Sequence, residues 1–437
     1  MSTINHQLPV NSLGPSAQSR VAYACYWAFA AYVALLPIMQ FPSLEWLNPT
    51  PILADAVFMI ACGLFLIAII MKELSCRPGR FYFAIGFYAI AILSSAVLAA
   101  ASNRHFSSLA IEAYLLCVAL LTFNTIRSEA VLKLVLRAWM VGTAITVLTA
   151  IAGIVWFYSG LSRDANVFLS TYGTLVPGNY PRVRGLFFNM NMCCNYLSIS
   201  FVFMLAMRSV GWIGRRSAFI LGGGILVAAF FTFSLGLGGL ALGTSIWIWV
   251  RYRELRQIIA ARTALCIGVL IASVFTAATL VSPSSLYGAN GQLQFHFAQL
   301  KPSGRVLCWR DTLATAWQNK WFGKGPGAPV AAVHLPTPSG EEQFLTDAHN
   351  TFLSIAAHDG IVGLIGFGAL LIFVLRKPRL QTSGKPEAII HSAAWIGLVQ
   401  ALLYQGIAGS WEHTRHLWLL LGLVAALQVQ GKAQQSE

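Results

Sequence analysis

Residues 51–71 read PILADAVFMIACGLFLIAIIM, a run of 21 residues with one charged side chain, Asp55. A helix that spans a membrane needs about 20 mainly apolar residues, so this segment has the length and composition of a transmembrane helix. Similar runs fill the chain, which is 57% hydrophobic and 10% charged and has a mean hydropathy of +0.66. Soluble domains are far less apolar, and the sequence therefore predicts an all-α polytopic membrane protein.

We predict about twelve transmembrane spans, each a largely apolar run. They are 21–40, 51–71, 81–100, 107–123, 134–158, 186–207, 217–235, 237–250, 263–281, 350–375, 388–409 and 416–430. The pair 217–235 and 237–250 is divided at Gly236-Leu237-Gly238-Gly239, because 34 residues are too many for one simple span. With twelve spans, both termini lie on the same side of the membrane.

The distribution of Lys and Arg predicts which side this is. On the side of the termini lie 19 of the 29 basic residues, and eight of the other ten fall in two long loops, 159–185 and 282–348. Short loops rich in Lys and Arg face the cytoplasm. The tail 1–20 is then cytoplasmic, both long loops are external, and the net charge of +14 reflects topology rather than nucleic-acid binding. No internal repeat is visible, so 1–437 is expected to be one membrane domain.

The external loop 282–348 is too long to be a simple connector. A helix is predicted from Ser303 to Asn319, with Ser303 as its N-cap, and it is expected to end at the glycine-rich turn after Phe322. Aromatic residues of this region are expected on the membrane surface, where amphipathic side chains collect. They are Trp309, Trp317, Trp321 and Phe322.

Four arginines of the two loops are candidate ligands for a phosphate group. They are Arg182, Arg184, Arg305 and Arg310. Arginine offers planar, bidentate donors to phosphate and keeps its charge at any working pH. Two alternatives stay open: Arg182 and Arg184 reach lipid headgroups, or Arg310 pairs with Asp311 or Asp347. Asn189 and Asn191 extend polar character into the sixth span, which indicates that this helix faces a polar cavity.

The sequence predicts neither a metal site nor a cofactor. It contains no CxxC pair, no HExxH and no Asp-x-Asp motif, and Glu341-Glu342 is the only clustered pair of external carboxylates. Only Cys308 falls in an external loop, so an intramolecular disulfide framework is not expected there.

Residues 349–363 read HNTFLSIAAHDGIVG, in which His349 and Asn350 precede nine residues and then Gly360-x-x-Gly363. This segment resembles the signature of the bacterial O-antigen ligases, a subgroup of the O-antigen ligase and polymerase superfamily. The other elements that resemble this family are Arg184-Gly185-x-Phe187-x-Asn189-x-Asn191, Gly304-Arg305 with Trp309-Arg310, Phe322-Gly323-x-Gly325, and the predicted topology.

Two positions depart from the pattern of that family. Met190 stands where a proline is often found before the second asparagine, and Ser234-Leu235-Gly236 stands where Ser-Arg-Gly is frequent. The missing arginine leaves the external loops to bind the anion.

The resemblance implies an enzyme of the bacterial inner membrane with a periplasmic active site. Members of the family transfer a glycan from undecaprenyl pyrophosphate to an acceptor hydroxyl, which belongs to a sugar of lipid A–core in the ligases. His349 is then the base, because imidazole titrates near neutral pH, and Asp347 or Asp359 orients its ring. The four arginines stabilise the leaving pyrophosphate. Supporting roles fall to Asn350, Asp347, Gly360, Gly363, Asn189 and Asn191.

Transfer in one step predicts inversion at the anomeric carbon, whereas two-step retention needs a carboxylate nucleophile, for which Asp347 is the only neighbour of the motif. Fixed arginines would replace a divalent metal. His349 alone is also compatible with a capping or packing role, and His358 is expected to be structural.

Two further functions stay open. The nearest is an O-antigen polymerase or a protein O-oligosaccharyltransferase of the same superfamily, which differs only in the acceptor. The other is a transporter or flippase, which predicts polar residues along the full length of spans six and ten. Asp55 and Glu112 are intramembrane acids for which the sequence suggests no partner.

Overall fold

The computed structural model describes residues 20–40, 52–99, 105–160, 168–175, 178–234, 236–251, 259–280, 304–336, 342–376, 385–409 and 414–433. These residues form 13 α-helices and four short strands. The helices are α1 (Arg20–Leu35), α2 (Leu53–Ile70), α3 (Phe81–Leu98), α4 (His105–Thr125), α5 (Glu129–Tyr158), α6 (Met190–Ser209), α7 (Arg215–Phe231), α8 (Gly236–Arg251), α9 (Ile259–Leu280), α10 (Gly304–Gln318), α11 (Thr351–Leu375), α12 (Pro386–Ala408) and α13 (Arg415–Ala433).

Each of the twelve predicted spans contains one helix, and α10 is the helix predicted in the long loop. Within the described residues, seven helices are both long and apolar enough to cross a membrane, namely α2 to α6, α11 and α12. The predicted class of a helical, multi-pass membrane protein is therefore confirmed. The predicted N-cap of α10, Ser303, lies outside the described residues.

The loops also contain two antiparallel hairpins that the sequence analysis did not predict. Strand β1 (Leu169–Leu175) pairs with β2 (Gly178–Val183), and Leu169 lies opposite Val183. Strand β3 (Val333–Pro336) pairs with β4 (Glu342–Leu345), and Val333 lies opposite Leu345. Strands of four to seven residues give too short a pattern to stand out beside long apolar helices.

The division of the pair 217–250 into two helices is confirmed, but the break lies before the glycine run. Helix α7 ends at Phe231, and α8 begins at Gly236. The turn is held by hydroxyl groups, since Thr232 Oγ1 accepts from the Ser234 nitrogen at 3.2 Å. The glycines serve packing instead, because a Cβ on Gly236 would lie 2.8 Å from Cys194 Sγ on α6.

Asp55 and Arg415 form a bidentate ion pair between the first turns of α2 and α13. Arg415 Nε lies 3.0 Å from Asp55 Oδ1, and its Nη2 lies 2.9 Å from Oδ2. The two side chains are 16% and 14% exposed, and the guanidinium also stacks over the ring of Tyr114 at 5.6 Å. This pair supplies the partner for Asp55 that the sequence could not name. No role follows for Glu112, whose Oε2 is buried within α4.

The end of α10 is docked onto α11 through the backbone. Helix α11 is interrupted at Gly360, where φ is +67°, and the turn after α10 has Gly323 at φ +71°. The Lys324 nitrogen donates to the Ala357 carbonyl at 2.8 Å, and the Ile361 nitrogen donates to the Lys320 carbonyl at 2.8 Å. The motif glycines therefore bring the loop helix onto the helix that begins beside His349.

The contact between the two glycines leaves no room for side chains. A Cβ on Gly360 would overlap the Trp321 carbonyl, and a Cβ on Gly323 would overlap the His358 carbonyl. The hydroxyl of Ser95, near the end of α3, lies 2.7 Å from the Phe322 carbonyl oxygen and 2.8 Å from that of His358. This places the end of α10 level with the end of α3.

Candidate functional site

His349 lies one residue before the N-cap of α11, in an unusual backbone conformation. Its φ is +49°, in the left-handed region that residues with a Cβ seldom adopt, at a cost of about 1–3 kcal/mol. Its Nδ1 lies 3.7 Å from Asp347 Oδ2, a charge contact rather than a hydrogen bond. Both side chains are about one-third exposed, at 34% and 35%. His349 is therefore held beside a carboxylate and remains accessible.

The environment favours the neutral imidazole of His349. Burial lowers the pKa of His349 below its ordinary value of 6.5, Asp347 opposes this by raising the pKa, and the positive charge of Arg305 lowers it further. Burial removes water from the charged form, and a nearby cation disfavours a second positive charge. A neutral imidazole is the form that accepts a proton.

Arg305 lies in the first turn of α10, and its charge acts on two residues outside that helix. One is His349, and the other is Tyr404 near the end of α12. Arg305 is on the same helix as the buried Cys308, whose thiol pKa is raised to about 11 by burial. The charge of Arg305 is therefore felt at His349, and a common phosphate-binding and catalytic site stays a prediction.

Arg184 follows strand β2 and is partly buried. Burial lowers the pKa of its guanidinium, which nonetheless stays charged at neutral pH. Its Nη1 lies 3.5 Å from the Phe188 carbonyl oxygen. The next residue, Gly185, has φ +56°, and a Cβ there would lie 3.2 Å from Thr149 Oγ1 of α5. The glycine thus lets this arginine turn pack closely against α5.

Arg182 binds the corner between α7 and α8. Its Nε donates to the Thr232 carbonyl at 2.9 Å, and its Nη2 donates to the Phe233 carbonyl at 3.2 Å. These carbonyls follow the end of α7, where a cation is favourable to the helix dipole. Arg182 therefore stabilises the end of α7 and also places a positive charge at this corner.

Arg310 is separated from the other arginines. It is 75% exposed, and its Nη2 lies 3.4 Å from Asp311 Oδ1, which is one of the pairings left open by the sequence. Five positions along an α-helix correspond to a rotation of about 140°, so Arg310 and Arg305 project from different faces of α10. Leu313 and Trp317, at 59% and 78% exposed, share the outward face.

The four residues of the predicted aromatic face differ in their exposure. Trp317 and Trp321 are exposed, at 78% and 61%, as a membrane-surface role requires. Trp309 and Phe322 are half-buried, and the indole nitrogen of Trp309 is inaccessible. Only two of the four aromatics are therefore available to an interface.

The predicted asparagines have identifiable structural roles. Asn350 is the N-cap of α11, and its side chain accepts from the nitrogens of Phe352 at 3.0 Å and Leu353 at 3.2 Å. Asn189 is the N-cap of α6 and accepts from the Met192 nitrogen at 2.8 Å. Such caps contribute about 1 kcal/mol each and fix where the helices begin.

Asn191 belongs to a polar cluster that includes two residues the sequence analysis missed. Ser234 Oγ donates to Asn191 Oδ1 at 2.9 Å and lies 3.2 Å from the hydroxyl of Tyr404. The signal in the sequence that could have indicated Tyr404 is a group of polar residues near the end of the eleventh predicted span, Gln400, Tyr404 and Gln405.

His358 is structural, as expected. Its Nε2 donates to the Ala328 carbonyl at 2.9 Å, and its Nδ1 accepts from the Ser354 hydroxyl at 3.2 Å. The side chain therefore ties α11 to the loop after α10. Asp359 is only 6% exposed, and its side chain packs against Gly363, where a Cβ would overlap it. Asp347, rather than Asp359, contacts His349.

Among the described residues, no three His, Cys, Asp or Glu side chains are grouped closely enough to hold a metal ion. The chemistry available from these residues is proton transfer at His349 and anion binding at the loop arginines.

Comparison with known proteins gives one family match. Residues 224–368, about a third of the chain, match the family model described as O-antigen ligase. This match supports the O-antigen ligase superfamily and confirms the resemblance seen in the sequence. It includes Arg305, His349 and both motif glycines of α11, whereas Arg182, Arg184 and Tyr404 lie outside it. No curated protein matches the chain.

Proposed function

From the family match and the geometry of the site, we propose that the protein is an O-antigen ligase. It transfers a glycan from undecaprenyl pyrophosphate to a sugar hydroxyl of lipid A–core in lipopolysaccharide assembly. The observation that carries the proposal is the position of His349, beside Asp347 and within electrostatic range of Arg305. Members of the matched family are glycosyltransferase-like enzymes.

The residues supply each part of a one-step transfer. With Nδ1 turned towards Asp347, the favourable neutral tautomer of His349 carries its proton on Nδ1 and has its lone pair on Nε2. Nε2 takes the proton of the acceptor hydroxyl as its oxygen bonds to the anomeric carbon. The bond from that carbon to the pyrophosphate oxygen breaks, and the electron pair leaves with the pyrophosphate. Arg305 and Arg184 stabilise the negative charge that develops there.

This mechanism inverts the configuration at the anomeric carbon and needs no divalent metal. The topology that we propose has about twelve spans in the bacterial inner membrane, cytoplasmic termini, and a periplasmic site formed by the loops 159–185 and 282–348. Undecaprenyl pyrophosphate and lipid A–core both present their headgroups at that surface.

The test is ligation by purified protein in detergent containing EDTA, with undecaprenyl pyrophosphate glycan and lipid A–core as substrates. We expect transfer by the wild type and none by a folded His349→Ala variant. Lengthening of the glycan on its carrier, without transfer to lipid A–core, would instead identify an O-antigen polymerase. Transfer to Ser or Thr of a protein would identify an oligosaccharyltransferase, and both outcomes would overturn the ligase assignment.

The distribution of polar residues argues against transport. In α11, Ser354, His358 and Asp359 precede the interruption at Gly360, and the remainder, 361–375, is apolar. In α6, the stretch 201–207 between Ser200 and Arg208 is apolar. A transport path requires polar groups through the full thickness of the membrane, whereas a site open on one side does not.

A further inference from the structure

We infer that Tyr404 is a further ligand of the pyrophosphate, to which it donates its phenol proton from the membrane side of the site. The inference rests on the proposed function, since it names a residue of the site where the pyrophosphate would bind. Tyr404 lies four residues before the end of α12, is 7% exposed, and was not suggested by any motif.

The corner between α7 and α8 brings one cation to this position. Phe233 has φ +45°, a conformation that is uncommon for a residue with a side chain. The carbonyls of Thr232 and Phe233 both bind the guanidinium of Arg182, at 2.9 and 3.2 Å. Ser234 is the next residue, and its Oγ lies 3.2 Å from the Tyr404 hydroxyl. The charge of Arg182 is therefore fixed beside the phenol.

The direction of the Tyr404 proton follows from counting donors at Ser234. A serine hydroxyl has one proton and two lone pairs. Ser234 gives its proton to Asn191 Oδ1 at 2.9 Å and accepts from the Gly236 nitrogen at 3.2 Å. With the Ser234 proton given to Asn191, Tyr404 is the donor in the bond between the two hydroxyls. At 3.2 Å this bond is longer than the usual 2.7–2.8 Å or so of hydroxyl pairs, so a better acceptor can replace it.

Arg305 brings a second cation from the other loop. Its charge acts on Tyr404 together with that of Arg182, and the thiol of Cys194 is a further neighbour of the phenol. Two cations from different loops thus act on one buried hydroxyl. A phosphate oxygen is the acceptor that fits this arrangement, because charge-assisted hydrogen bonds are stronger than neutral ones.

The layer beneath Tyr404 is also polar. A crevice too narrow to admit a water molecule is lined by polar and small residues, among them Asn195, Ser198, Gln400 and Tyr404. Gln400 is 1% exposed, and neither atom of its side-chain amide has a hydrogen-bond partner among the described residues. Buried amides normally bind a partner or an ordered water. Polar groups therefore border Tyr404 towards the membrane interior, and the charges of the arginines act on it from the loop side, as suits the inner end of an anion site.

The experiment measures the binding of undecaprenyl pyrophosphate, without a glycan, to the purified protein in nanodiscs. For Tyr404→Phe we expect the Kd to rise about 10- to 100-fold, the usual range for one hydrogen bond to a charged group. Undecaprenyl monophosphate serves as the second probe. In Tyr404→Phe, the preference of the protein for the pyrophosphate over the monophosphate should fall, whereas a general loss of folding would weaken the binding of both.

Two further variants separate a ligand from a structural bond. Ser234→Ala removes the acceptor that competes for the Tyr404 proton, so it should bind the pyrophosphate at least as tightly as the wild type. Tyr82→Phe deletes a phenol bonded to Asn124 Oδ1 at 2.7 Å, at the start of α3 and away from the loop arginines, and should leave binding unchanged. Thermal unfolding of each variant shows that it is folded.

The outcomes are distinct. Wild-type affinity in a folded Tyr404→Phe variant, or equal losses in Tyr404→Phe and Ser234→Ala, would overturn the inference and leave the proposed function standing. Failure of the wild type itself to bind undecaprenyl pyrophosphate would overturn the proposed function.

Discussion

Gly323 and Gly360 meet backbone to backbone, and this contact joins the helix that carries Arg305 to the helix that begins beside His349. Both glycines have positive φ, and a Cβ on Gly360 would lie 2.6 Å from the Gly323 nitrogen as well as overlap the Trp321 carbonyl. The motif glycines therefore act at a distance from the reacting groups, by fixing how α10 docks onto α11.

Gly360→Ala should undock α10 and reduce transfer strongly. Gly360 has φ +67° and ψ −162°, a conformation essentially restricted to glycine, which costs a residue with a Cβ about 1–3 kcal/mol, and the overlap with backbone adds to this. The matched control is Gly368→Ala in the same helix, where a Cβ would meet nothing within 4 Å and should stabilise the helix by about 1 kcal/mol.

The measurement for this pair of variants is maleimide labelling of Cys308, together with the rate of transfer. Cys308 is buried, and its thiol pKa is raised to about 11, so it should be inert in the wild type and in Gly368→Ala. Because Cys76, Cys117 and Cys266 are exposed, all variants are made in a background in which the cysteines other than Cys308 are replaced by Ala. Labelling should then appear in Gly360→Ala and vanish when Cys308→Ala is added. Full activity and an unreactive Cys308 in Gly360→Ala would contradict the docking role.

His349→Asn and His349→Gly should separate catalysis from capping. Glycine and asparagine tolerate positive φ, so both variants should unfold at the same temperature as the wild type or higher. Both should lose transfer by at least about 100-fold, because neither side chain is a base near neutral pH. A cap role for His349 instead predicts lower Tm values with activity retained.

The pH profile should report the charges around His349. The neutral imidazole is the active form, so kcat/KM should fall as pH drops through a pKa that lies below 6.5. Asp347→Asn removes the charge that raises this pKa, and the acid limb should move to lower pH. Arg305→Gln removes a charge that lowers it, and the limb should move to higher pH. Shifts in the same direction would show that another group titrates.

The arginines should differ in their effect on transfer. Arg184→Gln and Arg305→Gln should each lower kcat/KM about 100-fold, the usual effect of one lost group that stabilises developing charge. Arg310→Gln should change it by less than about threefold, because Arg310 is 75% exposed on the outward face of α10. A loss at Arg310 as large as that at Arg305 would show that the outward face contacts substrate.

The ion pair between Asp55 and Arg415 should dominate the stability of the bundle. Asp55→Asn or Arg415→Gln alone should lower the free energy of unfolding by about 3–5 kcal/mol, since each leaves a largely buried charge without its partner. The double variant should recover part of this loss. Thermal unfolding in detergent gives the three values, and losses that simply add in the double variant would show that the two residues are not coupled.

Several features were determined by the sequence alone, because their causes are local. Apolar runs of membrane length gave a helix in every predicted span, and the predicted end of the loop helix at Asn319 lies one residue beyond the observed end of α10. The predicted start of the tenth span at Asn350 lies one residue before α11, and the resemblance to a known family made His349 the candidate base. Helix formation and capping depend on residues within one or two turns, so one sequence is sufficient to predict them.

The assembly of the site was decided only by the tertiary structure. Tyr404 lies 170 residues from Ser234, and Asp55 lies 360 residues from Arg415, so no spacing in the sequence predicts either contact. The outward position of Arg310 and the use of Arg182 at the end of α7 likewise depend on how α10 and β2 pack on other helices. A local pattern fixes which face of a helix a side chain occupies, whereas the packing of distant helices fixes what that face meets.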